Sequence, residues 1–128
     1  MKTHDVKIIA DGSIIQITYF GDVTFTSANA SREEASAIAF QHGIKSFLVD
    51  LNQAQVVASV LELYEFHSQN PQILPLATRI AIVHARNNWS EGLSQAQFSE
   101  NLDINRGIAR KAFKKRSDAV TWLLNDEN

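Results

Sequence analysis

The sequence predicts an α/β fold: one mixed five-stranded sheet covered by about four helices, in the order ββαβαβαβα. Three observations carry this expectation. Phe47–Leu51 and Ile80–Ala85 are apolar runs rich in β-branched residues, and each is too short for an ordinary helix. Between them, Val56–Asn70 carries its apolar residues at helical spacing and is followed by Pro71. Near the start, Asp11-Gly12-Ser13 joins two β-prone runs, a hairpin signal. Near-continuous apolar strands are buried on both faces, the usual state of parallel strands with helices above and below.

The elements follow in order. Val6–Ala10 and Ile14–Phe20 form the opening hairpin, which Gly21-Asp22 ends. Thr24–His42 reads as a helix. Ser31 and Glu34 have the spacing of a capping box, with Thr24 or Ser27 as earlier caps, and Gly43 is placed to end the helix at positive φ. Ala35, Ile38, Ala39 and His42 share one side of it. Lys45–Leu51 is the third strand. In the second helix, Val57, Val60, Leu61 and Tyr64 make one stripe that Leu63 and Phe66 widen, and Glu62 and Glu65 are nearly the only charges. Pro71 and Pro75 bracket an extended linker to the fourth strand, Thr78–Ala85. A polar loop, Arg86–Gly92, holds Trp89. Ser94 and Gln97 cap a third helix, Gln95–Asn105, and a short fifth strand, Ile108–Phe113, follows Gly107. The last helix starts near Ser117-Asp118 and carries Ala119, Val120, Trp122, Leu123 and Leu124.

Composition bounds the function. The 128 residues suit a single domain, 1–128, and at 45% hydrophobic residues they can build a core. The absence of cysteine excludes disulfides, thiolate metal sites and thiol nucleophiles. No apolar stretch reaches the ~20 residues of a membrane span, and Met1-Lys2-Thr3-His4-Asp5 leads straight into a strand-like run with no resemblance to a signal peptide. A cytoplasmic protein is expected. The net charge of −2 is unevenly spread: residues 1–105 hold six Lys/Arg against eleven Asp/Glu, and residues 106–128 hold six against three. Arg106, Arg110, Lys111, Lys114, Lys115 and Arg116 form a basic segment that would suit an anion. With one interleaved aromatic and a pI near 6.0 it argues against a nucleic-acid partner and reads first as solvated surface.

Ligands of open α/β sheets bind beyond the carboxyl ends of the parallel strands. That region holds Asp50, Asn52 and Gln53 after the third strand, and His84, Arg86, Asn87, Asn88 and Trp89 after the fourth. Acceptor, amides, imidazole and flat aromatic together make this the candidate ligand site. The plainer roles are capping of the second helix by Asp50 and Asn52 and turning of the chain at Asn87-Asn88. His4, His42, His67 and His84 lack metal-ligand spacing, so no metal and no cofactor is expected.

These residues also resemble a known group. The strand ending in Val49-Asp50-Leu51, the later Arg79-Ile80-Ala81-Ile82-Val83, and the ending Phe113, Ala119 and Trp122-Leu123 look like small bacterial proteins of the STAS-like superfamily. Those are relatives of the anti-sigma-factor-antagonist fold, often grouped with CRAL-TRIO lipid-binding domains. The resemblance implies a regulatory module and, in the antagonists, a phosphorylated Ser in an Asp-Ser-Ser-Gly stretch at a helix start. Here Ala58-Ser59-Val60-Leu61 stands in that place. The acidic residue, the second Ser and the Gly are missing, which leaves Ser59 as a degenerate phospho-acceptor.

The expectation is therefore a non-enzymatic binding or regulatory module acting on a protein partner. A homodimer through Leu63 and Phe66 would serve, with a lipid-like or other small ligand at the strand ends as a second use. The alternative is a small hydrolase-like enzyme with His84 and Asp50 in the same crevice, Ser90 nearby, and no nucleophile-elbow motif to support it.

Overall fold

A computed structural model describes residues 3–69, 73–75, 77–84 and 108–125, the side chains of Val60, Leu63 and His67 excepted. The main sheet has five strands: β1 (His4–Ile9), β2 (Ile14–Tyr19), β4 (Ser46–Asp50), β6 (Arg79–Val83) and β7 (Ala109–Phe113), in the spatial order β1-β2-β4-β6-β7. β1 is antiparallel to β2 and every other pair is parallel. The two apolar runs lie side by side in the same direction, with Phe47 opposite Ile80 and Asp50 opposite Val83. The expected sheet is present, and its central strand is β4.

Alternation along the strands makes two cores. On one face Ile15, Ile17, Tyr19, Phe47, Ile80 and Ile82 pack with Ala28, Ala35 and Ala39 of α1 (Phe25–His42) and with Phe66 of α2 (Val60–Ser68). On the other, Ile14, Leu48, Ala81 and Val83 pack with Ala119 and Leu123 of α3 (Arg116–Leu124). Ala81 and Ala119 are fully buried, and small side chains there let helix and sheet approach closely. Arg79 ties down the far end of α3: its guanidinium stacks on Trp122 at 4.1 Å, and Nη1 donates to the Asn125 carbonyl at 2.9 Å.

Two local signals resolve differently from the pattern expected. The cap of α1 is Thr24, whose hydroxyl accepts the Ser27 N–H at 3.1 Å while the Thr24 N–H donates to Ser27 Oγ at 2.9 Å. Ser31 lies inside the helix and is buried, its hydroxyl on the Ala28 carbonyl, so it cannot be a cap. Gly43 does end the helix, at φ 68°. Along α1 the buried side includes Ala28, Ser31, Arg32, Ala35 and Ala39, and His42 is exposed.

A second, two-stranded sheet was not expected. β3 (Gly21–Val23) pairs in parallel with β5 (Ala54–Val56), extended by the Gly21 N–H on the Gln53 carbonyl and the Val57 N–H on the Val23 carbonyl. β5 takes up Val56, where the helical spacing begins, and the chain stays extended beyond it, so α2 begins only at Val60. The cause is tertiary: β2 and β4 are parallel neighbours, and the chains leaving their upper ends emerge side by side with free backbone groups that pair. The third predicted helix, Gln95–Asn105, lies outside the described residues.

The β1–β2 turn places Ala10 at φ 54° and Asp11 at φ 56°, followed by Gly12 at φ 87°. An L-residue with a Cβ pays about 1–2 kcal/mol in that region. Replacing Ala10 by Gly removes this cost and adds about 0.5–1 kcal/mol of unfolded-state freedom. The half-buried Ala10 methyl packs on the α3-face core, a contact worth up to about 0.8 kcal/mol, so Ala10→Gly should change stability by no more than about 1 kcal/mol in urea unfolding, and a loss well beyond that would show that the left-handed turn is absent. Leu48→Ala, at a fully buried site, should lower stability by about 2–5 kcal/mol in the same assay.

Candidate functional site

The upper ends of β4 and β6 are held together by the Leu51 N–H donating to the Val83 carbonyl, and β6 to β7 by the His84 N–H on the Phe113 carbonyl. Of the expected ligand residues, Asp50, Asn52, Gln53 and His84 are described; Arg86, Asn88 and Trp89, together with Ser90, lie outside the described residues. Asp50 Oδ1 accepts the Asn52 N–H at 2.9 Å, and the Ala54 N–H donates to the Leu51 carbonyl at 3.1 Å. Asp50 therefore organises the tight turn that sends the chain from β4 into β5, rather than capping α2, which starts later. Gln53 is exposed and its carbonyl serves the small sheet.

Asp50 and His84 do not converge. Asp50 follows Leu48 on the α3 face, while His84 follows Ile82 on the α1 face and is buried. Adjacent strand ends bring the two backbones together, but the sheet separates the side chains. An imidazole and a carboxylate on opposite faces cannot share a proton, so the hydrolase constellation has no geometric basis among the described residues.

The basic segment is dispersed by the same alternation. Arg110 is buried on the α1 face, which corrects its reading as solvated surface. Lys111 points to the opposite face, with Nζ 5.6 Å from the Phe113 ring centroid. Lys114, Lys115 and Arg116 occupy the exposed turn into α3, and Arg116 donates through Nη2 to Gln16 Oε1 at 2.6 Å. Gln16 in turn donates to Thr18 Oγ1 at 3.0 Å. Arg106 is outside the described residues.

α2 carries the most distinctive surface. Ser59 and Glu62 cap its start reciprocally: the Glu62 N–H donates to Ser59 Oγ at 3.1 Å and the Ser59 N–H to Glu62 Oε1 at 2.9 Å. This Ser-x-x-Glu spacing is present in the sequence, and it marks the helix start that the apolar spacing misses. Phe66 turns inward to the α1-face core and is covered by Arg32, whose guanidinium lies 3.9 Å from the ring centroid. Phe66, expected with Leu63 at a dimer contact, is half-buried and has Arg32 of its own chain over its ring; the Leu63 side chain is not described. The outward residues are Val57, Leu61 and Tyr64, at 47%, 76% and 41% exposure.

Arg32 was not singled out by sequence reading. Its side chain is buried, donating to the Phe66 carbonyl and, through Nη2, to Asn29 Oδ1 and Gln69 Oε1 at 2.7 Å each. It thus ties α1 to the carboxyl end of α2, where a cation also meets the negative end of the helix dipole. Beside it Tyr19 and Ser31 hydrogen-bond hydroxyl to hydroxyl. Burial pushes the Tyr19 phenol up, and the Ser31 hydrogen bond and the Arg32 charge draw it partly back. An isolated Arg in a polar stretch of α1 gives no sequence sign of this role.

No protein-family model and no curated protein matches the sequence. Solved structures do match in fold. The anti-sigma factor antagonist SpoIIAA in its unphosphorylated form superposes with a TM-score of 0.57 over 95% of this chain and 98% of its own, at 9% identity. An uncharacterised protein of the DUF3478 family from Shewanella loihica, with a SpoIIAA-like fold, gives 0.56 over 94% and 91%, at 14% identity. An anti-sigma factor antagonist from Mycobacterium paratuberculosis gives 0.56 over 95% of each chain, at 12% identity. Near-complete mutual coverage, with the parallel β2-β4-β6-β7 order and an antiparallel β1, shows that this chain has the STAS-like fold of the SpoIIAA structures.

Proposed function

We propose that this chain is a non-enzymatic regulatory module that works by protein–protein contact, with the β5–α2 turn and the outer side of α2 as its contact surface. One observation carries the reading: Leu61 and Tyr64, about one turn apart on α2, both face solvent, and Val57 in the chain leading into the helix is exposed as well. A large apolar stripe left in water is costly and marks an interaction surface. The likeness in fold to structures described as anti-sigma factor antagonists supports a regulatory role. No helix among the described residues is long and apolar enough to cross a membrane.

Ser59 stands at the base of this stripe. Its hydroxyl caps α2 and the residue is exposed. Within this reading, phosphorylation there would place a dianion beside the Glu62 carboxylate and break the reciprocal cap, altering the contact surface at its origin.

The test is site-specific photo-crosslinking in the producing cells. A photoreactive residue at position 61 should give a discrete protein adduct, and one at exposed position 37 of α1 should not. A folded protein that gives no adduct from position 61 overturns the reading. Separately, Ser59→Ala should cost about 1 kcal/mol of stability in urea unfolding, with Ser59→Asp recovering most of it; equal stability of all three would show that the cap is not formed.

A further inference from the structure

We infer that the partner of this surface is a protein segment bearing cations beside an apolar ridge, such as a Lys/Arg-flanked amphipathic helix. The inference rests on the contact reading above and adds the chemistry of the occupant. Glu62 and Glu65 follow Leu61 and Tyr64 by one residue each. A helix turning about 100° per residue therefore sets both carboxylates along the same flank of the apolar stripe. Both residues are exposed. Residues 54–69 contain no Lys or Arg, so no such cation of the same stretch pairs with that flank, although Glu62 Oε1 also accepts the Ser59 N–H. The surface is thus a greasy ridge with an acidic rail.

Charge complementarity selects among occupants. A partner that buries Leu61 must bring its own rim close to the rail, and a cationic rim is attracted where an acidic one is repelled. The same face of a second copy would bring two further carboxylates and no Lys or Arg. An anionic lipid surface would be repelled in the same way. A cationic amphipathic helix satisfies both features: its apolar side meets Val57, Leu61 and Tyr64, and its Lys or Arg residues meet Glu62 and Glu65.

The experiment measures binding of two labelled synthetic amphipathic helices, one of Lys and Leu and one of Glu and Leu, by fluorescence anisotropy. The Lys/Leu helix should bind, weakening about fivefold or more between about 50 and about 500 mM salt, and the Glu/Leu helix should bind far more weakly. Leu61→Ser should weaken the Lys/Leu complex about tenfold. Glu65→Lys should weaken it about fivefold and flatten the salt dependence, with Glu65→Gln intermediate. Glu33→Lys, the same charge change on exposed α1, should leave it nearly unchanged. Equal binding of the two helices, no effect of Leu61→Ser, or equal damage from Glu33→Lys and Glu65→Lys would each overturn the inference. A position-61 adduct in cells whose yield is indifferent to Glu65→Lys overturns the cationic partner and leaves the contact reading intact; loss of that adduct from the otherwise unaltered protein overturns both.

Discussion

The parallel pairing of β4 with β6 is the constraint on which the rest of the molecule depends. Phe47, Leu48 and Val49 stand opposite Ile80, Ala81 and Ile82, and both strands are covered on both sides. A parallel pair cannot be joined by a tight turn. The chain between β4 and β6 must cross over one face, and α2 lies in that crossover. The same geometry applies to β2 and β4, joined through α1. Because both crossovers leave from the same end of the sheet, the outgoing segments run together and pair as β3 and β5. The small sheet is thus a consequence of the large one, and it sets where α2 begins.

That origin determines what α2 can do. A helix of nine residues started by Ser59 and Glu62 and held at its far end by Arg32 has little freedom to rotate. Phe66 is placed inward under the guanidinium, and the residues on the far side of the wheel, Leu61 and Tyr64, are placed outward. Arg32 also explains how a cation comes to lie deep between two helices: carbonyl, amide and aromatic acceptors replace the water it loses. The contact surface proposed for this protein therefore follows from a buried arginine on a different helix.

Legibility in the sequence tracks the range of the interaction involved. The β-branched runs at Phe47 and Ile80, the Asp11-Gly12 turn and Gly43 at the end of α1 all act through their own backbone or their immediate neighbours, and each is found where the pattern places it. The Ser59–Glu62 cap is equally local and was equally available, but the apolar spacing back to Val56 masked it. By contrast, Ser31 and Glu34 have capping-box spacing and do not cap, because Thr24 starts the helix earlier. For the candidate site, residue types pointed to Asp50 and His84 as neighbours. Strand-end proximity was right, and the sidedness was lost because it depends on the register of two different strands.

Short-range chemistry in this chain was enough to establish the α/β class, the places of the main strands along the chain and the end of α1 at Gly43, since propensity, alternation and capping are settled within a few residues. Which apolar residues of α2 meet the core and which meet water was left undetermined by the periodicity, because the helix is apolar over more than half its circumference and either side would serve. Packing against α1, through Arg32 and Phe66, chose between them, and that choice exists only once segments more than thirty residues apart are brought into contact.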